Sequence, residues 1–185
     1  MGVGRHAYLY VISSDDFDPL GSCVKIGRSV SPPHRRSQLQ TGNSGKLIVR
    51  GQWRVAAESA PRLEAAVKAA LRPLRVKGEV FRASDGLACA VVEWIAKNEQ
   101  ADAFIALAVE HEAATLEWAR LDTLPSAHGR WKTPETVSAV KDAWTKCQAL
   151  SAEMFALAPD RAAAVDPFNA PAREARKQEV MGDRL

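Results

Sequence analysis

Between Cys23 and Arg54 the chain has no aspartate or glutamate, yet it carries seven lysines and arginines. Ordinary solvated surface mixes both signs of charge. A segment without any acid presents an electrostatic footprint for phosphates. Other absences narrow the field. The 185 residues include three cysteines, Cys23, Cys89 and Cys147, far apart and without a Cys-x-x-Cys pair. This gives no basis for a disulfide framework or a cysteine zinc site, and a reducing, cytoplasmic setting is expected. No apolar run approaches the roughly 18 residues that cross a bilayer. The N-terminal segment turns polar at Ser13-Ser14-Asp15-Asp16, so neither a membrane span nor a secretory leader is expected. His111-Glu112 lacks the second histidine of a zinc-protease helix.

What is present is ordinary for a globular protein: 46% hydrophobic and 25% charged residues. The net charge of +3 conceals two unequal halves. Residues 1–84 hold 14 lysines and arginines against 6 acids, or +8; residues 85–185 hold 11 against 16, or −5. Such asymmetry suggests different partners for the two halves.

Residues 6–13 (HAYLYVIS) and 23–29 (CVKIGRS) read as strands of an antiparallel hairpin across an Asp-, Pro- and Gly-containing turn. Ser31 then caps a helix with Pro32 and Pro33 in its first turn. Gly42 is expected to end it in the left-handed conformation that glycine tolerates. Residues 46–55 read as a third strand and 60–71 as a helix whose core face is Leu63, Val67, Ala70 and Leu71. Residues 78–84 read as a short last strand. The expected fold class is α+β: a small antiparallel sheet flanked by helices over residues 1–84. A mostly α-helical appendage is expected over 85–158, and a charged tail containing proline over 159–185. Leu87, Val91, Trp94 and Ile95 mark one amphipathic helix; Phe104, Leu107, Ala108 and His111 mark a second. Residues 122–134 read as a loop, in which Trp131, between Arg130 and Lys132, is a weak contact candidate. Val137, Val140, Trp144, Cys147, Met154 and Leu157 step by threes and fours along one long helix.

Five pieces in order resemble the GIY-YIG endonuclease superfamily, in the branch whose second signature is written KIG. They are YLYVI (8–12), VKIGRS (24–29), PPHRRSQLQTGN (32–43), RLEAAVKAAL (62–71) and GEVF (78–81). The resemblance covers roughly residues 6–84. It implies metal-dependent hydrolysis of a nucleic-acid phosphodiester. On that pattern Tyr10 helps activate water, Arg35 steadies the phosphate, and Glu64 holds one divalent ion such as Mg²⁺. Lys25 stands where the wider superfamily has a second tyrosine. It can bind phosphate or lower a neighbour's pKa if it lies alongside Tyr10. Tyr8, two residues from Tyr10, shares its face.

The residue types suit that chemistry. A guanidinium matches a phosphate bidentately, and a carboxylate with waters is a common way to hold Mg²⁺. Gly27 lets a phosphate or helix approach the backbone. Leu39 is expected to bury against the sheet, with Arg35 one turn earlier on the same face. Arg36, about 100° round the helix, joins Arg28, Asn43 and Lys46 as nucleic-acid contacts. Glu79 is a weaker acid candidate. Lys68 stands where related sequences often carry histidine. It is also four residues after Glu64, the favourable orientation for a plain helix ion pair. The leading expectation is a DNA endonuclease, with RNA an equivalent partner by charge. Two alternatives are a DNA-binding module without cleavage and an interaction protein. In the latter the basic half anchors to DNA and the helical half docks a protein partner or a second copy.

Overall fold

The computed structural model describes residues 5–14, 23–123 and 133–165. The architecture is α+β, as the pattern of elements predicts. Strand β1 (His6–Ser14) pairs with β2 (Cys23–Ser29) on one side and β3 (Leu47–Ala56) on the other, both antiparallel. Two short strands, β4 (Arg75–Lys77) and β5 (Val80–Arg82), complete a five-stranded sheet of order β3-β1-β2-β5-β4. Central β1 has Leu9, Tyr10, Val11 and Ile12 buried in succession, because helices cover both faces of the sheet there.

Helix α1 (Pro32–Gln40) lies on one face, where Leu39 packs against Tyr10, Ile12 and Leu47. Helices α2 (Ala60–Ala70) and α3 (Asp85–Asn98) lie on the other. There Leu63, Val67, Leu87, Val91 and Ile95 join Leu9, Val11, Val24, Ile26 and Phe81 in one core. That core continues into α4 (Ala103–Thr123) through Phe104, Ile105 and Ala108. It reaches α5 (Pro134–Leu157) through Met154, and α6 (Pro159–Val165) through Ala162. A boundary after residue 84 therefore falls inside a continuous core. Ser84 itself is fastened on both sides: its Oγ accepts from the Leu87 amide, and its own amide donates to Glu112 on α4. The expected tail from Pro159 begins as a helix, and the rest of it lies outside the described residues.

Three local expectations are corrected. Helix α1 does not end on a left-handed Gly42: its C-cap is Thr41 in right-handed geometry, and Gly78 is the positive-φ glycine among the described residues. The Asn43 side-chain amide instead donates to the Leu39 carbonyl, closing the last turn without glycine. Ser31 takes the N-cap position but makes no side-chain capping bond; its amide donates to Ser29 Oγ. Strand β4 goes unannounced in the sequence because Arg75, Val76 and Lys77 are all exposed and show no apolar alternation. The turn at 15–22, most of the 122–134 loop and its Arg130, Trp131 and Lys132 lie outside the described residues.

Candidate nucleic-acid site

The register of the hairpin decides which side chains can meet. Tyr10 pairs with Gly27, and Ile12 pairs with Lys25. Residues paired across antiparallel strands share a face, so Tyr8, Tyr10, Lys25 and Gly27 all belong to the face that carries α1. The Tyr10 ring lies across Gly27: a Cβ added there would sit 2.5 Å from the phenol oxygen. Gly27 therefore makes room for a side chain of its own sheet. Tyr10 is 1% exposed, more deeply buried than a half-covered strand aromatic, and Tyr8 is half-buried. The Tyr10 hydroxyl makes no hydrogen bond among the described residues. Lys25 shares that face, two residues from Gly27, and its ammonium is bonded to Glu79 Oε2 at 2.7 Å.

Strand β5 pairs with β2 only from Cys23 to Lys25, and one further bond joins the Ile26 amide to the Glu79 carbonyl. Beyond that point the β2 edge has no strand beside it among the described residues, and five charged side chains gather there. Arg28 Nε donates to Glu64 Oε2 at 2.8 Å, and Lys68 Nζ donates to Glu64 Oε1 at 2.8 Å. The same Lys68 Nζ donates to Glu79 Oε1 at 2.6 Å, and Glu79 meets Lys25. The result is an alternating row, Arg28–Glu64–Lys68–Glu79–Lys25. It passes from the α2 side of the sheet to the α1 side. Helix α2 sets Glu64 and Lys68 one turn apart beside the buried Leu63 and Val67, so both project at the rim of the core.

Electrostatics follow from this geometry. Hydrogen bonds from Lys25 and then Lys68 pull the Glu79 carboxyl down to about 2. Burial disfavours the Lys68 ammonium, but its bonds to Glu64 and Glu79 outweigh that and hold its pKa above the ordinary lysine value. Each of the four oxygens of Glu64 and Glu79 faces a cation. Among the described residues no group of three or more His, Cys, Asp or Glu forms a metal cluster. Glu64 and Glu79 nevertheless form a pair of hard oxygen donors, each within 3 Å of the Lys68 nitrogen. Away from this row, burial first, and then Asp85, push the Cys89 thiol up to about 11.

The remaining predicted residues lie around this row. Arg35 occupies the sheet-facing stripe of α1 between buried Pro32 and half-buried Leu39, and donates to Gln38. Arg36 donates to the Leu47 carbonyl while Gln40 accepts from the Leu47 amide, so the two side chains pin the start of β3 to α1. Asn43 closes the helix, and Lys46 is exposed. Glu79 is the member whose role sequence reasoning underrated. Its signal was the Gly-Glu-Val-Phe run next to a basic hairpin.

A family comparison matches residues 7–101, just over half of the chain, to the T5orf172 domain. The chain belongs to the T5orf172 domain family. This is a phage-associated domain of nuclease type. The matched T5orf172 segment takes in α3 as well as the sheet, consistent with the shared core. No curated protein and no solved structure matches the chain. No helix among the described residues is long and apolar enough to cross a membrane.

Proposed function

We propose that this domain binds DNA through its acid-free Cys23–Arg54 segment and cleaves phosphodiester bonds as a divalent-metal-dependent endonuclease of the GIY-YIG type, KIG branch. The observation that carries the reading is the meeting of Arg28 from β2 with Glu64 from α2, at 2.8 Å, on the open edge of β2. Their neighbour Gly27 carries the Tyr10 ring. Glu64 and Glu79 suit Mg²⁺ by donor chemistry, once the Lys68 ammonium has moved from between them to a phosphate oxygen. Held by Glu64 and Glu79, a divalent ion would supply Lewis-acid activation of phosphate and water. The chain's own groups do the rest. Arg28 and Arg35 hold the phosphate, and Lys25 offsets charge at the rim. Tyr10 offers its phenol hydroxyl to the attacking water.

One observation favours a second reading, DNA binding without cleavage. The Lys68 nitrogen stands 2.8 and 2.6 Å from the two carboxylates and occupies the place between them. Plasmid nicking with and without Mg²⁺, run on wild type and Glu64→Gln, separates the two. The endonuclease reading expects Mg²⁺-dependent nicking that is lost by at least about a hundredfold in Glu64→Gln, with the fold retained by circular dichroism. Wild type that binds DNA but neither nicks it nor takes up Mg²⁺ in calorimetry sinks the enzyme reading. Nicking that appears only in Lys68→His identifies this lysine as the silencing residue.

A further inference from the structure

Outside the acid-free segment, a second group of cations surrounds the β4–β5 hairpin. Arg72, Arg75, Lys77 and Arg82 are all exposed. Arg75 donates to the Gly78 carbonyl, and none of the four has an ion-pair partner among the described residues. Several other cations outside the acid-free segment do pair with acids: Arg62 with Glu99, Lys97 with Glu93, Arg120 with Glu117, Lys146 with Glu110 and Arg161 with Asp102. The hairpin is also placed for a purpose. Its turn, Gly78-Glu79, holds the carboxylate that binds Lys25 and Lys68. Arg82 pairs with Cys23 and Val80 with Lys25, so Arg82 shares the sheet face of Lys25 and Tyr10. Strand β4 lies two strands from β2, about 10 Å away at the usual spacing. That is roughly the axial rise of three base pairs of a duplex at about 3.4 Å each.

Resting on the DNA reading above, we infer that the β4–β5 hairpin is a second phosphate-contacting element. Arg75, Lys77 and Arg82 engage the duplex DNA backbone beyond the edge at which Glu64 and Arg28 meet. Arginine and lysine on a short edge strand suit this role. They reach phosphates without reading bases, and so add affinity and register rather than sequence preference.

The test is the triple variant Arg75→Gln, Lys77→Gln, Arg82→Gln in the full chain. All three side chains are exposed, so thermal melting is expected to match wild type. Affinity for a short duplex is measured by fluorescence anisotropy over a salt series. Three lost phosphate contacts reduce the slope of log K against log salt by about 2.7, and weaken binding at least tenfold at low salt. A control triple, Lys97, Lys141 and Lys146 to Gln, is expected to leave the slope within error. An unchanged slope in the hairpin variant, with wild type binding normally, overturns this inference alone. Wild type with no salt-dependent DNA binding overturns the underlying reading. A loss seen on duplex RNA and absent on duplex DNA overturns the assignment of the partner.

Discussion

Glu79 is bonded to two lysines, and its depressed pKa makes it a stability group with a defined pH window. Its folded value of about 2 lies below the ordinary 4.5. The stabilisation is therefore present above about pH 4.5 and is lost as pH falls toward 2. The side chain is 41% exposed, so solvent screens both pairs and their worth stays near about 1 kcal/mol. That corresponds to about 2–4 °C in a chain of this length. Glu79→Gln is expected to melt lower than wild type by this amount at pH 7 and equally at pH 2. Melting curves that stay parallel from pH 7 to pH 2 would contradict the ion pairing. The row was half legible in the sequence. Glu64 and Lys68 are four residues apart on one helix, and periodicity alone brings them together. Glu79 lies 54 residues from Lys25 and 11 from Lys68, and only the sheet register sets them side by side. The same register puts Lys25 on the Tyr10 face, where Glu79 holds its ammonium, a partner that no spacing rule within one strand could reveal.

Among the elements, α5 shows what periodicity does and does not contain. Steps of three and four from Val137 to Leu157 identify a long helix, and one forms. They do not identify its buried face. Cys147, Leu150 and Met154 are buried, whereas Val137, Trp144 and Leu157 are 52%, 47% and 53% exposed. A helix this long outruns the core that it joins. Met154 joins the core that holds Phe104 and Ala162, Cys147 and Leu150 form a separate cluster with Ala114, and the Trp144 ring meets Trp118. Met154→Ala, at a site with no exposure, is expected to cost about 2–5 kcal/mol. Val137→Ala is expected to change stability by about 0.5 kcal/mol or less. Urea unfolding midpoints compare them directly, and equal losses would mean that the exposed half is covered in solution. Strand β4 fails in the opposite way: three exposed residues carry no hydrophobic signal, and pairing with β5 alone makes them a strand.

For the whole molecule, the basic sheet and the acidic helices share one continuous core despite their opposite charge. The change of composition at Ser84 is real, but it marks a change of surface rather than of core. Leu87, Val91, Val92 and Ile95 of α3 cover the sheet face that bears Leu9 and Val11. Residues 1–84 expressed alone are therefore expected to show no cooperative thermal transition, while the full chain melts cooperatively. A sharp transition in the short piece would restore a boundary at residue 84. The fold class was readable because strands and helices alternate in period. The packing of α3 was not, because its burial depends on the sheet surface it meets. The row on the β2 edge has a final property that no single contact expresses. Three cations alternate with two carboxylates, so the count is odd and the row ends on a cation at both termini. Its excess is one elementary positive charge, equal and opposite to that of a single phosphodiester, and an anion placed at either end continues the alternation.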